Sequence, residues 1–465
     1  MPFDRQHRPA RTLLIGVLAA LAAAAVTAFD AHYRFFDMVI YHDAIRWWLD
    51  GGDLYEYAAP VRGRLGFTYP PVGAVLLMPV AAMPAVTAGW LNAGLGMVAL
   101  TAVLAVLLAP AIRRHRRSGP AVVGVAVVLT LLTEPVRQTL GLGQVNLVLF
   151  ALVVLDLTVL RSAGSRWAGA GVGVAAAIKL TPALFVVHLV LTGQWRTART
   201  AIVTAAALTA AGFVLAPAET VRYFGDLLWR TDRVGAVAAV ANQSLAGLLA
   251  RWDATATLPA GGWTVLSLAM LAVGLWRARL AHGAGDRVTA LTLVGLTGNL
   301  ISPVSWTHHL VFLPVAVLVL ADAGLRQRRL RYVAAALAVY AVAVVSPIWF
   351  APDHPALGNA FTLTMVLLVL LLPVTAGDDA HQPGVFGDPA SPRQASRSIM
   401  VQPAATRAAT VHAATRGSAP AAGPIAAIGA ATSVSARARA VSRSHRRGTQ
   451  SRLVAALGGR GDRGG

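Results

Sequence analysis

Four short stretches of this sequence bring together side chains that can move a proton or bind an anion. In the first, Asp37 directly follows the aromatic pair Phe35 and Phe36 and precedes Tyr41. A carboxylate in half-apolar surroundings has a raised pKa unless it is paired, and such a pKa suits a general base. The simpler alternative for Asp37 is a solvated loop acid or a helix cap.

The second stretch carries two amides, Gln144 and Asn146, after a glycine-containing turn at 141–143 and before a long apolar run. An apolar helix is predicted to begin there, and the free N–H groups of a helix N-terminus attract anions. The alternative for Asn146 is an ordinary N-cap.

The third stretch contains Lys179, the only lysine in a chain that otherwise uses arginine. It lies between two short apolar segments, directly before Leu180, Thr181 and the helix breaker Pro182. An ionisable residue at membrane depth indicates a functional site, and a compact ammonium suits a phosphate. The alternative is an interfacial lysine that extends its head group to water.

The fourth stretch runs from Ser302 to the adjacent pair His308 and His309, with Trp306 between them. Neighbouring residues on a helix point in different directions, so this pair is a poor chelate. A histidine that hydrogen-bonds an anion or a sugar is favoured over a metal site, and a capping role is the alternative. The chain has no cysteine, which excludes a thiolate metal site.

The composition predicts the kind of scaffold that positions these residues. Hydrophobic types make up 56% of the chain, charged residues only 13%, and the mean hydropathy is +0.61. These values exclude a soluble enzyme, a coiled coil and an outer-membrane barrel, and they predict an all-α polytopic membrane protein. The net charge of +20 does not indicate nucleic-acid binding, because the arginines form short clusters between apolar runs.

Apolar runs along residues 1–375 predict about 11–12 transmembrane helices, several of them shorter than the roughly 20 residues of a full span. The run 71–84, with three prolines, is interpreted as a re-entrant or interfacial segment. The predicted helices are 12–29, 86–109, 120–133, 147–160, 167–178, 183–192, 200–216, 262–276, 288–301, 309–322, 332–350 and 359–375.

The arginines also predict an orientation. The N-terminus and alternate loops carry 18 arginines and two acids, which places them in the cytoplasm by the positive-inside rule. The long segments 30–70 and 217–260 are then extracytoplasmic, and the first of them forms a large loop. Residues 376–465 are predicted to be a disordered, basic, low-complexity tail.

The sequence has no nucleotide-binding loop and no cytoplasmic loop long enough for a nucleotide-binding domain. An enzyme of this kind is expected to receive an activated substrate on the outer side, carried on a lipid.

Five motifs in order resemble those of glycosyltransferase family 87, the polyprenyl-phosphate-mannose-dependent α-(1→2)-mannosyltransferases of actinobacterial envelope synthesis. They span roughly residues 30–375. The motifs are Asp37 to Tyr41 with the following GGDLY (51–55), FTYPP (67–71), GQVN (143–146), IKLTP (178–182) and SPVSWTHH (302–309).

The resemblance implies a C-type glycosyltransferase fold in the plasma membrane, with Asp37 as catalytic base in an inverting single displacement on the extracytoplasmic side. Lys179, Gln144 and Asn146 are expected to bind the donor phosphate, with His308 or His309 stabilising the leaving group. No metal and no other cofactor are expected. Further substrate contacts are expected from Tyr41, His42, Asp43, Tyr69, Arg137 and Trp306.

The implied partners are polyprenyl-phosphate-mannose as donor, a lipid-linked mannoside or glycan as acceptor, and the lipid bilayer. Two alternatives remain open from the residues. One is a related transferase, such as an arabinofuranosyltransferase, and the other is a transporter of lipid-linked glycans.

Overall fold

The computed structural model of the protein describes residues 8–60, 65–114, 119–230, 234–253 and 259–375. The predicted tail, 376–465, lies outside the described residues. Within the described ranges every regular element is a helix, and the only β-type pairing is an isolated bridge between Asn242 and Trp306. The all-α prediction is confirmed.

The helices are numbered in chain order over the described residues. The first nine are α1 (Arg8–Tyr33), α2 (Phe36–Leu49), α3 (Pro71–Ala81), α4 (Ala85–Leu107), α5 (Ala109–Arg114), α6 (Gly119–Leu131), α7 (Glu134–Gly141), α8 (Asn146–Leu155, continued by a π-helical turn, Asp156–Leu160) and α9 (Ala170–Ile178). The others are α10 (Ala183–Leu191), α11 (Trp195–Leu215), α12 (Pro217–Gly225), α13 (Leu245–Trp252), α14 (Ala260–Gly283), α15 (Arg287–Ile301), α16 (Leu313–Gln327), α17 (Leu330–Val345) and α18 (Ala360–Leu371).

Four of the described helices are long and apolar enough to cross a membrane: Leu13–Tyr33 within α1, then α4, α11 and α14. The pair α6 and α7, bent by 81°, gives a fifth if it is one broken span. Other apolar helices, such as α8 and α15, are shorter than a full span. The protein is a polytopic membrane protein, and the count of about 11–12 spans stays a prediction.

The first long segment, predicted as a loop, contains the 14-residue helix α2. Phe35 adopts a left-handed conformation with φ of 47°, so the chain turns sharply after α1 and a new helix begins at once. Phe35, Met38 and Ile45 from this segment are almost fully buried. The apolar face of α2 thus packs into the protein and holds the segment in one place.

Helix α3 has 11 residues, which is too short for a membrane span and agrees with the interpretation of 71–84 as a re-entrant or interfacial segment. Pro71 occupies its first position, where the missing N–H costs nothing, and the helix ends at Ala81. Helix α15 has the opposite character, because every residue from Thr289 to Leu300 is buried. A helix covered on all sides marks the centre of a fold.

The N-terminus of α2 docks on the C-terminus of α7. The N–H groups of Phe35 and Asp37 donate to the carbonyl oxygens of Gly141 (2.9 Å) and Leu142 (3.0 Å). These bonds use donors and acceptors that helix ends leave unpaired. They bring the start of α2 to the turn that carries Gln144.

Candidate active site

Asp37 is the second residue of α2 and is half-buried. The positive end of the helix dipole lies beside its carboxylate and favours the charged form. Burial acts more strongly in the other direction and raises the pKa of Asp37 to about 6, although the Gln144 hydrogen bond and the Lys179 charge lower it. A carboxyl with this pKa is ionised at neutral pH and can still accept a proton.

Gln144, Tyr41 and Tyr69 form a closed ring of hydrogen bonds beside this acid, called here the tyrosine–glutamine ring. Tyr69 donates its hydroxyl proton to Gln144 Oε1 (2.7 Å). Gln144 Nε2 donates to the Tyr41 hydroxyl oxygen (2.8 Å). The two hydroxyls are 2.9 Å apart, and because Tyr69 has given its proton to Gln144, Tyr41 must donate to Tyr69.

The Asp37 carboxylate determines which end of the Gln144 amide faces it, because an ionised carboxylate can only accept a hydrogen bond. The second proton of Nε2 points to Asp37 Oδ2, at 2.6 Å. With the amide reversed, its carbonyl oxygen would face the carboxylate without a proton between them. Among the described residues no hydrogen bond reaches Asp37 Oδ1. One carboxylate oxygen is therefore held by Gln144, and the other is left without a hydrogen-bond partner among these residues.

Lys179 directly follows α9, in extended backbone conformation. Its ammonium donates to Asn146 Oδ1 (3.0 Å) and stands 5.5 Å from the centre of the Tyr69 ring. Asn146 is the first residue of α8, and the capping position, Val145, makes no side-chain cap. The N-cap alternative for Asn146 is therefore wrong, because its amide points to Lys179 instead.

The histidine turn, a 3₁₀ turn of Thr307–His309, lies on the other side of Asn146. The carbonyl oxygen of His308 accepts a hydrogen bond from Asn146 Nδ2 at 2.9 Å. It also lies 2.9 Å from Thr139 Oγ1, whose one proton is shared with the carbonyl oxygen of Pro135 at 2.6 Å. The two imidazole rings are nearly perpendicular, with centres 4.6 Å apart. His309 lines the pocket described next, whereas His308 is almost fully buried beside it.

A pocket lies between α8, α10 and α15, and Lys179 is part of its lining. Its empty space is about 600 Å³, including the part that is open to solvent. Its polar lining residues include Asn146, Lys179, Ser305 and His309. Its apolar lining residues include Phe150, Val153, Phe185, Val294 and Phe312. A pocket with a cationic end and apolar walls matches an amphiphile with an anionic head.

Ser305 is a site residue that the sequence analysis missed. It is fully buried and lines the pocket, and within the described ranges its hydroxyl has no hydrogen-bond partner. The same holds for His308 Nε2. Buried polar atoms are normally paired, so these two are candidates for contacts with a ligand. In the sequence, only the position of Ser305 just before the Trp-Thr-His-His run could have indicated it.

The other residues predicted to contact the substrate make hydrogen bonds or ion pairs within the protein. The two ring nitrogens of His42 lie 2.8 Å from Asp43 Oδ1 and 3.0 Å from the carbonyl oxygen of Met83. Arg137 pairs with Glu134, and Trp306 bridges to Asn242. A substrate role for these residues stays a prediction, because the contacts described here are with the protein.

Metal ligands were not expected. Over the part of the chain that the structure describes, no three histidine or acidic side chains come close enough to hold a metal ion. Independence from metals remains a prediction about activity.

Fold and site define a class: an all-α polytopic membrane protein in which a half-buried carboxylate interacts with an ammonium that lines a pocket with largely apolar walls. The chain belongs to glycosyltransferase family 87, whose sequence profile matches residues 67–303. The resemblance inferred from the five motifs is thereby confirmed.

Two mycobacterial relatives illustrate the similarity. The chain is 36% identical over 341 residues to the polyprenol-phosphate-mannose-dependent alpha-(1-2)-phosphatidylinositol mannoside mannosyltransferase of Mycobacterium tuberculosis, covering 68% of this chain and 77% of the relative. It is 32% identical over 326 residues to the corresponding phosphatidylinositol pentamannoside mannosyltransferase of Mycolicibacterium smegmatis, covering 65% and 72%. No solved structure gives a significant match.

Proposed function

We propose that the protein transfers mannose from polyprenyl-phosphate-mannose to a lipid-linked mannoside and forms an α-1,2 linkage. One observation supports the proposal: the Asp37 carboxylate interacts electrostatically with the Lys179 ammonium, and Lys179 lines a pocket with largely apolar walls. The names of the relatives support the choice of donor and linkage, and they favour a phosphatidylinositol mannoside as acceptor.

The reaction is a single displacement with inversion. The acceptor hydroxyl oxygen attacks the anomeric carbon of a β-linked mannosyl phosphate and forms the new bond. The bond from that carbon to the phosphate oxygen breaks, and its electron pair leaves with the phosphate. Asp37 Oδ1 takes the hydroxyl proton, while Gln144 holds Oδ2 in place.

The leaving phosphate is stabilised by Lys179 and by polar residues that line the same pocket. Lys179 supplies a positive charge, and Asn146 fixes the position of its ammonium. Ser305 and His309, which line the same pocket, can donate to phosphate or sugar oxygens. The apolar walls suit the lipid chain that carries the phosphate.

The site is proposed to face the extracytoplasmic side of the plasma membrane. The support is the distribution of arginine, since the loops on the other side carry 18 of them with only two acids. A lipid-phosphate sugar presented on the outer leaflet would reach Asp37 and Lys179 without any cytoplasmic nucleotide-sugar domain.

The test is transfer by the purified protein in nanodiscs with labelled polyprenyl-phosphate-mannose and phosphatidylinositol mannoside acceptors. We expect a labelled product that an α-1,2-mannosidase digests, and no product from the matching arabinose donor. Lys179→Ala should raise the KM for the donor more than the KM for the acceptor. Arabinose transfer would favour the related transferase, and movement of the glycolipid across vesicles without a new bond would favour a transporter.

A further inference from the structure

Helix α7 begins with a buried carboxylate that the proposed chemistry does not use. Glu134 is 1% exposed, yet its two oxygens accept hydrogen bonds from several donors. Ser346 Oγ and Trp349 Nε1 donate from the segment after α17, at 3.1 and 2.8 Å. Arg137 and Gln138 donate from the next turn of α7 itself. A buried charge with this many partners is held rigidly.

The hydrogen bonds continue from Glu134 to the histidine turn. Gln138 Nε2 donates a hydrogen bond to Glu134, so the amide oxygen Oε1 faces the other way. There it accepts a hydrogen bond from the Thr307 hydroxyl at 2.5 Å. The next residue, Thr139, shares its hydroxyl proton between the carbonyl oxygens of Pro135 (2.6 Å) and His308 (2.9 Å). Two adjacent residues of α7 thus contact the turn at the Thr307 hydroxyl and at the His308 carbonyl oxygen.

The same helix also holds the base. Its C-terminal residue, Gly141, and the following Leu142 accept the N–H groups that begin α2, the helix of Asp37. The carboxylate of Glu134 therefore fixes the start of an eight-residue helix whose other end contacts α2 and whose side contacts the histidine turn.

We propose that Glu134 is a positioning residue for the transfer reaction, which fixes the histidine turn beside Lys179 through Gln138 and Thr307. This inference rests on the proposed function for its reaction but not for its geometry. It also assigns Arg137, a predicted substrate contact, to the charge compensation of Glu134.

The variant Glu134→Gln puts an NH₂ group where two side-chain donors converge. Its transfer rate should fall by about tenfold or more, because hydrogen bonds to a charged group are lost. Hydrogen–deuterium exchange of the peptide covering 305–310, measured without substrate, should speed up. Asp156→Asn is the matched control. Asp156 is also 1% exposed and accepts hydrogen bonds from the N–H groups of Gly169, just before α9, and Val172, in the first turn of α9. It should leave exchange at 305–310 unchanged.

A second comparison separates positioning from general destabilisation. In a His309→Ala background, adding Glu134→Gln should lower the rate by less than about twofold, since residues that act as one unit are not additive. Thr307→Val should reproduce the loss, and Thr307→Ser, which keeps the hydroxyl, should restore most of the rate. If Glu134→Gln does not fold, the comparison of Thr307→Val with Thr307→Ser still tests the inference.

Unchanged exchange at 305–310 in Glu134→Gln, or losses that multiply with His309→Ala, would overturn the inference. Absence of mannose transfer by the wild type would instead overturn the proposed function. The exchange comparison would still decide the role of Glu134.

Discussion

At the scale of single residues, the site depends on how one amide is oriented. Gln144 Nε2 donates one hydrogen bond to Tyr41 and one to Asp37, and Gln144 Oε1 accepts a hydrogen bond from Tyr69. No other arrangement of the protons satisfies all three partners. Gln144 therefore keeps a donor on Asp37 Oδ2, and Oδ1 is the oxygen that we propose takes the proton of the acceptor hydroxyl.

The pH dependence of the rate follows from the raised pKa of Asp37, about 6. Below that pH the carboxyl is protonated and cannot accept the acceptor's proton, so kcat/KM should fall about tenfold per pH unit on further acidification. Gln144→Leu removes a hydrogen bond that lowers this pKa, so its acidic limb should move to higher pH. Initial rates between about pH 5 and about pH 8 check both expectations. A rate that stays flat across this range would exclude Asp37 as the titrating base.

Tyr69→Phe should reduce the transfer rate although Tyr69 performs no chemistry. Without its hydroxyl, Gln144 Oε1 loses its donor, so the amide that donates to Asp37 is held in place less firmly. The loss of about 1 kcal/mol per hydrogen bond corresponds to roughly five- to tenfold in rate. Tyr57→Phe, a half-buried tyrosine outside the ring, is the control. Equal rates for the two variants would show that the ring has no function.

The sequence could identify the chemically unusual residues but not their contacts. Asp37 and Lys179 were found because an acid after two aromatic residues and a single lysine are rare features in this chain. The ring was not found, because its hydrogen bonds join residues 28, 75 and 103 positions apart. Nothing local in the chain encodes contacts over such distances.

At the scale of elements, the meeting of α7 and α2 brings Gln144 to Asp37. The turn between α7 and α8 passes through Gly143, whose φ of +74° places it in the left-handed region. A Cβ at that position would lie 2.6 Å from Cβ of Met38 in α2. The close approach of the two segments therefore requires glycine.

Gly143→Ala should lower both the melting temperature and the transfer rate. The left-handed conformation costs about 1–3 kcal/mol with a side chain present. Overpacking against α2 adds about 1–3 kcal/mol. Gly164→Ala is a matched control, because φ there is +65° and no atom lies within 4 Å of the added Cβ. Thermal unfolding and rate assays of both variants give the comparison. If Gly164→Ala is as damaging to the rate as Gly143→Ala, the close approach is not what matters.

Helix positions were predictable to the extent that apolar runs end at recognisable breakers. The run predicted at 86–109 is α4, and Pro84 ends the segment before it. Helix α2 was missed because the segment Phe36–Leu49 mixes acids, His42 and Arg46 with its apolar residues. Only packing against the rest of the protein shows that its apolar face is buried.

At the scale of the whole molecule, the proposed reaction requires that the protein has a defined orientation in the membrane. The arginine-rich loops should lie in the cytoplasm, and the segment that begins with α2 should lie outside. The chain contains no cysteine, so single introduced cysteines report accessibility without background.

Asp50→Cys, in an exposed position just after α2, should react with a membrane-impermeant maleimide in intact cells. Ala163→Cys, exposed in the loop before α9, should react only after the cells are opened. The reverse pattern would place the site on the cytoplasmic side and contradict the proposed orientation.

The most direct test of Asp37 as the catalytic base compares mannose transfer by Asp37→Asn and Asp50→Asn in the same nanodisc assay. Loss of a general base costs about a hundredfold or more, so Asp37→Asn should be nearly inactive. Asp50→Asn removes an exposed acid at the other end of α2 and should keep the wild-type rate. Transfer by Asp37→Asn at close to the wild-type rate would contradict the account.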